Sequence, residues 1–170
     1  YTVEVTDING CILLDTITLI GPDSIILQVI ATDVSCNGFQ DAEATLSVTN
    51  GGTTPFQYSA DNGINYQTVN TFYNLATGTT YYLVIDANGC SNTITSTISE
   101  PDELVSIIIT TNASCYGECD GTASIDNING GTSPYSFDWG GANPNNLCAN
   151  FYNLIVTDSN GCLTTNYAII

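Results

Sequence analysis

The sequence predicts an all-β protein made of tandem repeats, and two observations support that prediction. The first is a pentapeptide of the form Asp-x-Asn-Gly-Cys, which occurs three times, at residues 7–11, 86–90 and 158–162. The second is that apolar and polar residues alternate, as around Val3 and Val5, whereas helical periodicity is absent. The first two pentapeptides lie 79 positions apart, and a fixed period of that length indicates an array of similar small domains.

The domain boundaries follow from landmarks that keep the 79-residue register, such as Cys36 with Cys115 and the Pro-Asp linkers around Pro22 and Pro101. The second and third pentapeptides are only 72 positions apart, so the last repeat is shorter by seven residues. We expect a further truncation at the start, because Tyr1 aligns within a strand of the last repeat, and we expect the chain to be a segment of a longer array. The predicted units are the last two strands of a truncated repeat at residues 1–22, a complete repeat at 23–102 and a shorter complete repeat at 103–170.

Each complete repeat is predicted to contain short strands, named A to G. Asp-x-Asn-Gly connects strands F and G as a tight hairpin, because Asn and Gly tolerate the positive φ that such turns need. Several short strands at about 8–12-residue spacing are typical of an immunoglobulin-like (PKD-like) β-sandwich. In the middle repeat the strands are expected near 24–34, 42–49, 55–60, 65–70, 71–75, 80–86 and 90–98.

Aromatic residues are interpreted as core packing rather than as a ligand site. Leu147 followed by Tyr152 at the start of strand F resembles the tyrosine corner that locks such sandwiches. Trp139, the single tryptophan, is expected in the core of the last repeat.

The charge composition excludes several classes of partner. The chain has no Lys, Arg or His and 17 acidic residues. It therefore cannot neutralise phosphates, which excludes nucleic-acid binding, and it has no attraction for anionic lipid surfaces. We expect no direct membrane insertion. The apolar fraction of 43% supports packed cores rather than disorder.

The seven cysteines indicate disulfides in an oxidising compartment. Their spacing is not that of a zinc site, because only Cys115 and Cys119 are close together and no His is present. Cys119 and Cys148 are predicted at the same end of the last repeat, so they can pair with each other whatever the remaining cysteines do.

Two pairings remain open for the other cysteines. Pairing within each repeat joins Cys36 to Cys90 and Cys115 to Cys162, and leaves Cys11 alone. However, Cys36 and Cys90 are expected at opposite ends of their sandwich, roughly 25 Å apart, whereas a disulfide needs Cα atoms within about 7 Å. Geometry therefore favours a Cys36–Cys162 bond between repeats, in which case Cys11, Cys90 and Cys115 would pair with repeats outside this segment.

Catalytic and metal-binding residues are sparse. Without His, Lys or Arg, acid–base chemistry could use only carboxylates or Tyr, and most acidic residues fall in turns or linkers, so we expect no enzyme activity. Calcium is the strongest candidate metal ion, because oxygen ligands and negative charge suit it. Asp-x-Asn-Gly lacks the Glu six residues on that completes a calcium loop, and we interpret it as a turn. No cofactor is expected.

Several motifs together resemble the SprB-type repeat. They are Cys36-Asn37-Gly38, the Gly-Gly-Thr-x-Pro segments at 51–55 and 130–134, the segment 58–63, and the strand leading into each Asp-x-Asn-Gly-Cys. The resemblance implies a giant surface adhesin of gliding Bacteroidota, exported by the type IX secretion system to the cell surface. The last repeat departs from the pattern through its additional cysteines, Cys119 and Cys148.

Two sites match the O-glycosylation signature of that phylum, which is Asp followed by Ser or Thr and an aliphatic residue. They are Asp15-Thr16-Ile17 and Asp23-Ser24-Ile25, so Thr16 and Ser24 are candidate glycosylation sites.

The leading functional hypothesis is a structural stalk that holds an adhesive or other functional tip away from the cell. Its main partners would then be the neighbouring repeats of the same chain, and the short Pro-containing linkers favour a semi-rigid rod. One alternative is a module that binds a surface glycan or protein, assisted by calcium, through aromatics grouped on one face (Tyr66, Phe72, Tyr73, Tyr81). The other is a self-assembling filament or surface-layer component.

Overall fold

The computed structural model describes all 170 residues and contains thirteen β-strands and no helix. The prediction of an all-β fold is confirmed. The strands in chain order are β1 (Thr2–Thr6), β2 (Ile12–Thr16), β3 (Ile26–Ala31), β4 (Ala42–Asn50), β5 (Gln57–Ser59), β6 (Thr71–Leu75), β7 (Gly78–Ile85), β8 (Ser91–Ile98), β9 (Val105–Thr111), β10 (Thr122–Asn129), β11 (Ser136–Asp138), β12 (Phe151–Thr157) and β13 (Leu163–Ile169).

The first two strands form a single antiparallel hairpin, with Thr2 opposite Thr16 and Thr6 opposite Ile12. Every residue of both strands is exposed. The hairpin therefore presents the Asp-x-Asn-Gly-Cys turn without a second sheet packed on its strands.

The middle unit is a β-sandwich of two three-stranded antiparallel sheets. One sheet has the order β3-β4-β6 and the other β5-β7-β8. Ala44 and Leu46 of β4 face Tyr82 and Val84 of β7 across the sandwich, and all four side chains are fully buried. The alternation of apolar and polar residues along these strands places one face of each sheet in the core.

The predicted strand at 65–70 is wrong. Gln67 forms only an isolated bridge with Tyr58. Its side-chain amide donates to the carbonyl oxygens of Val69 and Thr71, both at 2.8 Å, and these local bonds turn the chain. The strand predicted at 71–75 is β6, which pairs with β4.

Hydrogen bonds fix which loops share an end of the middle unit. At one end, the loop between β3 and β4 (the A–B loop, residues 32–41) meets the end of β8, because Ser99 N donates to Asp33 Oδ1 at 2.7 Å. At the other end, Asn92 at the start of β8 donates to the carbonyl oxygen of Ile25 at 2.7 Å. The A–B loop and the hairpin loop 86–90 therefore lie at opposite ends of the sandwich.

The last unit repeats this plan with one strand fewer. It has the sheets β9-β10 and β11-β12-β13, with Leu154 and Val156 of β12 buried in its core. No strand corresponds to β6; instead Leu147 bridges to Gly121, and Pro144 O accepts from Ala123 N at 2.8 Å. Trp139 is partly buried and packs against this core.

The tyrosine corner predicted at Leu147 and Tyr152 is present in the last unit. The Tyr152 hydroxyl accepts from Cys148 N at 3.1 Å and donates to Cys148 O at 3.0 Å. Leu147 is buried beside it. The corner therefore anchors the segment that replaces the missing strand to the start of β12.

Candidate functional site: the joint between repeats

The Asp-x-Asn-Gly-Cys loop has the same internal hydrogen bonds in all three copies. The aspartate Oδ1 accepts from the backbone N–H groups two and four residues later, at 2.8–2.9 Å for Asp7, Asp86 and Asp158. The glycine of each loop has φ of 83–87°, a conformation that favours glycine. Each cysteine is therefore held at a fixed position at the end of its hairpin.

In the two complete units, the second carboxylate oxygen ties this hairpin to the Gly-Gly-Thr turn. Asp86 Oδ2 accepts from Thr53 N at 2.9 Å, and Asp158 Oδ2 accepts from Thr132 N at 2.8 Å. Burial alone would raise the pKa of both carboxyl groups, but the surrounding backbone N–H donors outweigh it, so each pKa is lowered. Asp86 and Asp158 are thus ionised acceptors that hold two loops together.

No group of three or more Cys, Asp or Glu side chains has an arrangement that could hold a metal ion. The oxygens of the pentapeptide aspartates accept hydrogen bonds from backbone N–H groups. The structure also contains no helix that is long and apolar enough to cross a membrane.

The A–B loop also has a preset shape, and the same shape occurs in both complete units. In the middle unit Ser35 N donates to Asp41 Oδ1 at 2.9 Å, and Phe39 N donates to Cys36 O at 3.1 Å. In the last unit the A–B loop (residues 112–121) has the corresponding bonds, from Ser114 N to Asp120 and from Glu118 N to Cys115 O. The Ser35 hydroxyl and N–H lower the pKa of Asp41.

The A–B loop of the middle unit docks on the hairpin end of the last unit, where Cys36 and Cys162 form a disulfide. Their Cα atoms are 5.6 Å apart, although the two residues are separated by 126 positions. Cys36 is 4% exposed and Cys162 is 8% exposed, and they pack with Leu104, Leu154 and Val156 in one core cluster. Of the two pairings open from the sequence, the structure contains the one between repeats.

Polar contacts surround this disulfide. Asn160 of the pentapeptide donates to Ser35 O at 3.2 Å. The linker between the units is held to the same loop, because Asn37 Nδ2 donates to Pro101 O at 3.1 Å and Gly38 N donates to a Glu100 carboxylate oxygen at 2.8 Å. The joint therefore combines a covalent bond, apolar packing and hydrogen bonds from both sides.

The remaining cysteines are arranged differently. Cys119 and Cys148 form a disulfide within the last unit, where they connect its A–B loop to the segment that replaces the missing strand. Cys11, Cys90 and Cys115 are unpaired and exposed.

The other candidate residues from the sequence do not form one site. Thr16 at the end of β2 and Ser24 before β3 are exposed, and their glycosylation stays a prediction. Phe72 is partly buried and packs on Tyr82 with ring centroids 5.8 Å apart. Tyr66 is exposed and lines one open cavity of about 220 Å³ together with Phe72. Tyr73 and Tyr81 are exposed but lie on different sheets of the sandwich and do not line this cavity, so the four aromatics do not form one exposed face.

Acid is expected to destabilise the folded chain through these hydrogen-bonded carboxylates. Backbone and side-chain donors from Asn65 and the Ser59 hydroxyl lower the pKa of Asp61 to about 2, from a usual value of 3.8. A lowered pKa in the folded state means that the unfolded state binds protons more readily. The stabilisation is complete well above pH 3.8, begins to weaken as the pH approaches that value and is lost as the pH falls toward about 2.

Thermal unfolding of the chain at a series of pH values measures this effect. We expect a stable plateau above about pH 5 and a falling melting temperature below it. Asp61→Asn should make that fall shallower, whereas Asp126→Asn should not, because the Asp126 carboxylate on β10 accepts no hydrogen bond. An acid-independent melting temperature would contradict the prediction.

Comparison with known families matches the SprB repeat twice, at residues 29–65 and 107–144. The chain matches no curated protein. Each matched segment contains one A–B loop with its cysteine and one Gly-Gly-Thr turn, whereas the Asp-x-Asn-Gly-Cys hairpins lie outside both segments.

The docking contacts of Glu100 and Asn160 were not predicted from the sequence, although Glu100 belongs to a linker that keeps the 79-residue register.

Proposed function

Because the chain carries two SprB repeats, we propose that it is a stalk segment of a very large secreted surface adhesin. SprB repeats belong to cell-surface proteins, and the disulfides fit an extracellular location. The stalk would hold a distal adhesive or functional tip away from the cell. We propose further that the type IX secretion system exports the protein to the surface of a Bacteroidota cell that moves by gliding.

The observation that supports this proposal most directly is the head-to-tail joint. The A–B end of one sandwich docks on the hairpin end of the next, and Cys36–Cys162 locks the contact. Since the A–B and hairpin ends lie at opposite ends of a sandwich, repeating this joint extends the array in one direction. A rod of this kind needs no chemistry at a site in order to function.

The dimensions and the charge are also those of a spacer. Strand β7 has eight residues, so one sandwich extends about 26 Å along its strands. The net charge of −17 is not offset by any basic residue. Like charges along the rod disfavour its collapse onto itself and its association with another rod.

Electron microscopy of the full-length protein tests the proposal. We expect an unbranched thread that becomes shorter by one repeat, about 26 Å or slightly more, when residues 24–102 are deleted. This deletion removes one 79-residue period and joins Asp23 to Glu103 in register. Adhesion at the tip should survive the deletion. A compact particle, or specific binding of the 170-residue chain to glycans, would contradict the stalk and favour a binding module.

A further inference from the structure

The middle unit has an open cavity at its hairpin end. The cavity has a volume of about 340 Å³ and is lined by Ser24, Ile25, Cys90, Ser91 and Asn92, together with the linker residues before them. Ile25 is buried at its base, whereas the Cys90 thiol is exposed and unpaired. We call this feature the Cys90 cavity.

The corresponding surface of the last unit is occupied. Ser24 and Ile25 correspond to Glu103 and Leu104, which lie 79 positions later in the chain. Cys90 and the two residues after it correspond to Cys162, Leu163 and Thr164, which lie 72 positions later. These residues lie beside the docked loop of the middle unit, and together with Cys36, Asn37 and Phe39 of that loop they line the joint. The Cys90 cavity of the middle unit is therefore equivalent to the surface of the last unit on which the A–B loop docks in the Cys36–Cys162 joint.

The chain also has one A–B loop that is not docked on another unit, namely that of the last unit. The Cys115 loop, which we define as residues 114–120, has the same two backbone-donated hydrogen bonds as the docked loop around Cys36. Its Cys115 thiol is exposed and unpaired. Both halves of the joint are thus preset in shape, which reduces the entropy lost on docking.

We propose that the Cys90 cavity binds the Cys115 loop of another repeat and that Cys90 and Cys115 then form a disulfide. In a stalk the other repeat is a neighbour in the array; in solution it is a second copy of this chain. The proposal deepens the stalk assignment, because it names the repeat-to-repeat contact at the surfaces that the chain leaves open.

The covalent step is thiol–disulfide exchange with a small-molecule disulfide such as oxidised glutathione. The Cys90 thiolate attacks a glutathione sulfur, forms a mixed disulfide and releases one glutathione thiolate. The Cys115 thiolate of the second copy then attacks the Cys90 sulfur and releases the other. The two protein thiols are oxidised to one disulfide, one glutathione disulfide is reduced to two thiols, and the two protons pass to those thiols.

Cys11 provides a control within the same molecule. Its loop has the same hydrogen bonds as the Cys90 loop, from Asn9 N and Cys11 N to Asp7 Oδ1. However, β1 and β2 are exposed along their whole length, and no cavity adjoins Cys11. Specific docking therefore predicts that Cys115 selects Cys90 over Cys11, whereas unselective oxidation would treat the two exposed thiols alike.

The test uses the whole chain at millimolar concentration in a glutathione redox buffer. About 0.5 M salt is added to screen repulsion between the acidic copies, including Glu118 and Asp23. We expect a ladder of disulfide-linked oligomers on a non-reducing gel. Mass spectrometry of chymotryptic peptides should find Cys115–Cys90 bridges in roughly tenfold excess over Cys115–Cys11 bridges.

Two surface variants separate docking from simple thiol reactivity. Ser91→Trp places a large side chain in the Cys90 cavity and should lower the Cys115–Cys90 yield roughly tenfold. Thr97→Trp, at the far end of the same strand, should leave the yield unchanged. Absence of oligomers, equal bridging to Cys11 and Cys90, or a ladder unaffected by Ser91→Trp would overturn the proposal. None of these results would alter the thread length that tests the stalk itself.

Discussion

Pulling the oxidised chain by its two ends is expected to leave about 430 Å of contour length hidden, because tension passes through the Cys36–Cys162 bond. That bond bypasses 126 positions of chain, and an extended chain spans about 3.4 Å per residue. Strands β4 to β12 lie between the two cysteines and are therefore shielded from the force, whereas β3 and β13 lie outside them and bear it. Single-molecule force spectroscopy with and without reductant measures the hidden length as the difference in final extension.

The second disulfide provides a matched set of variants. Cys36→Ser opens the large loop but leaves the 29 positions between Cys119 and Cys148 locked, so it should release only about 330 Å. Cys119→Ser should release nothing in oxidising buffer, since its loop lies inside the larger one. Stepwise unfolding of both units to full length in the oxidised wild type would contradict the prediction.

Such shielding has a physical meaning for a stalk. Force carried by the covalent bond between the sandwiches does not pull β4 to β12 apart, so these strands keep their arrangement under load. The docked loop and its linker, held by Asn37, Gly38 and Asn160, then set the angle between successive units. A rod that transmits force in this way depends on bonds between repeats more than on the stability of any single repeat.

The sequence was sufficient for the all-β fold and for the hairpins, because both depend on local patterns. Alternating apolar residues determine which face of β4 or β7 is buried, and Asn-Gly specifies the tight turn. The strand expected at 65–70 failed because side-chain bonds of Gln67, which strand propensity does not describe, turn the chain there. The last unit is seven residues shorter, and a loop around Leu147, cross-linked by the Cys119–Cys148 disulfide, stands where the middle unit has β6.

The candidate site was less accessible to sequence reasoning. Pairing of Cys36 with Cys162 could be favoured only after the ends of the sandwich had been assigned, since the two residues are far apart in the chain. The contacts of Glu100 and Asn160 depend on the angle between two units, which no local pattern determines. The immunoglobulin-like assignment, the domain boundaries and the glycosylation of Thr16 and Ser24 stay predictions.

Asp158→Ala is expected to cost about 3 kcal/mol of unfolding free energy, because it leaves one buried and two partly buried backbone donors without a partner. The Asp158 carboxylate accepts hydrogen bonds from Asn160 N, Cys162 N and Thr132 N at 2.8–2.9 Å. The residue is 5% exposed, so water cannot replace these bonds easily. The substitution also frees the hairpin loop that positions Cys162 for its disulfide. Urea unfolding of the oxidised chain, followed by fluorescence of Trp139, measures the loss.

Two further variants separate the carboxylate from the loop itself. Asp158→Asn keeps one acceptor oxygen for the hairpin but turns an amide N–H₂ toward Thr132 N, so it should lie between wild type and Asp158→Ala. Asp7→Ala removes the same two hairpin bonds at an exposed loop with no threonine partner, and the loss of stability should be much smaller. Equal losses for Asp7→Ala and Asp158→Ala would show that the link to Thr132 contributes nothing. In that case the hairpin would hold Cys162 in place without the Gly-Gly-Thr turn.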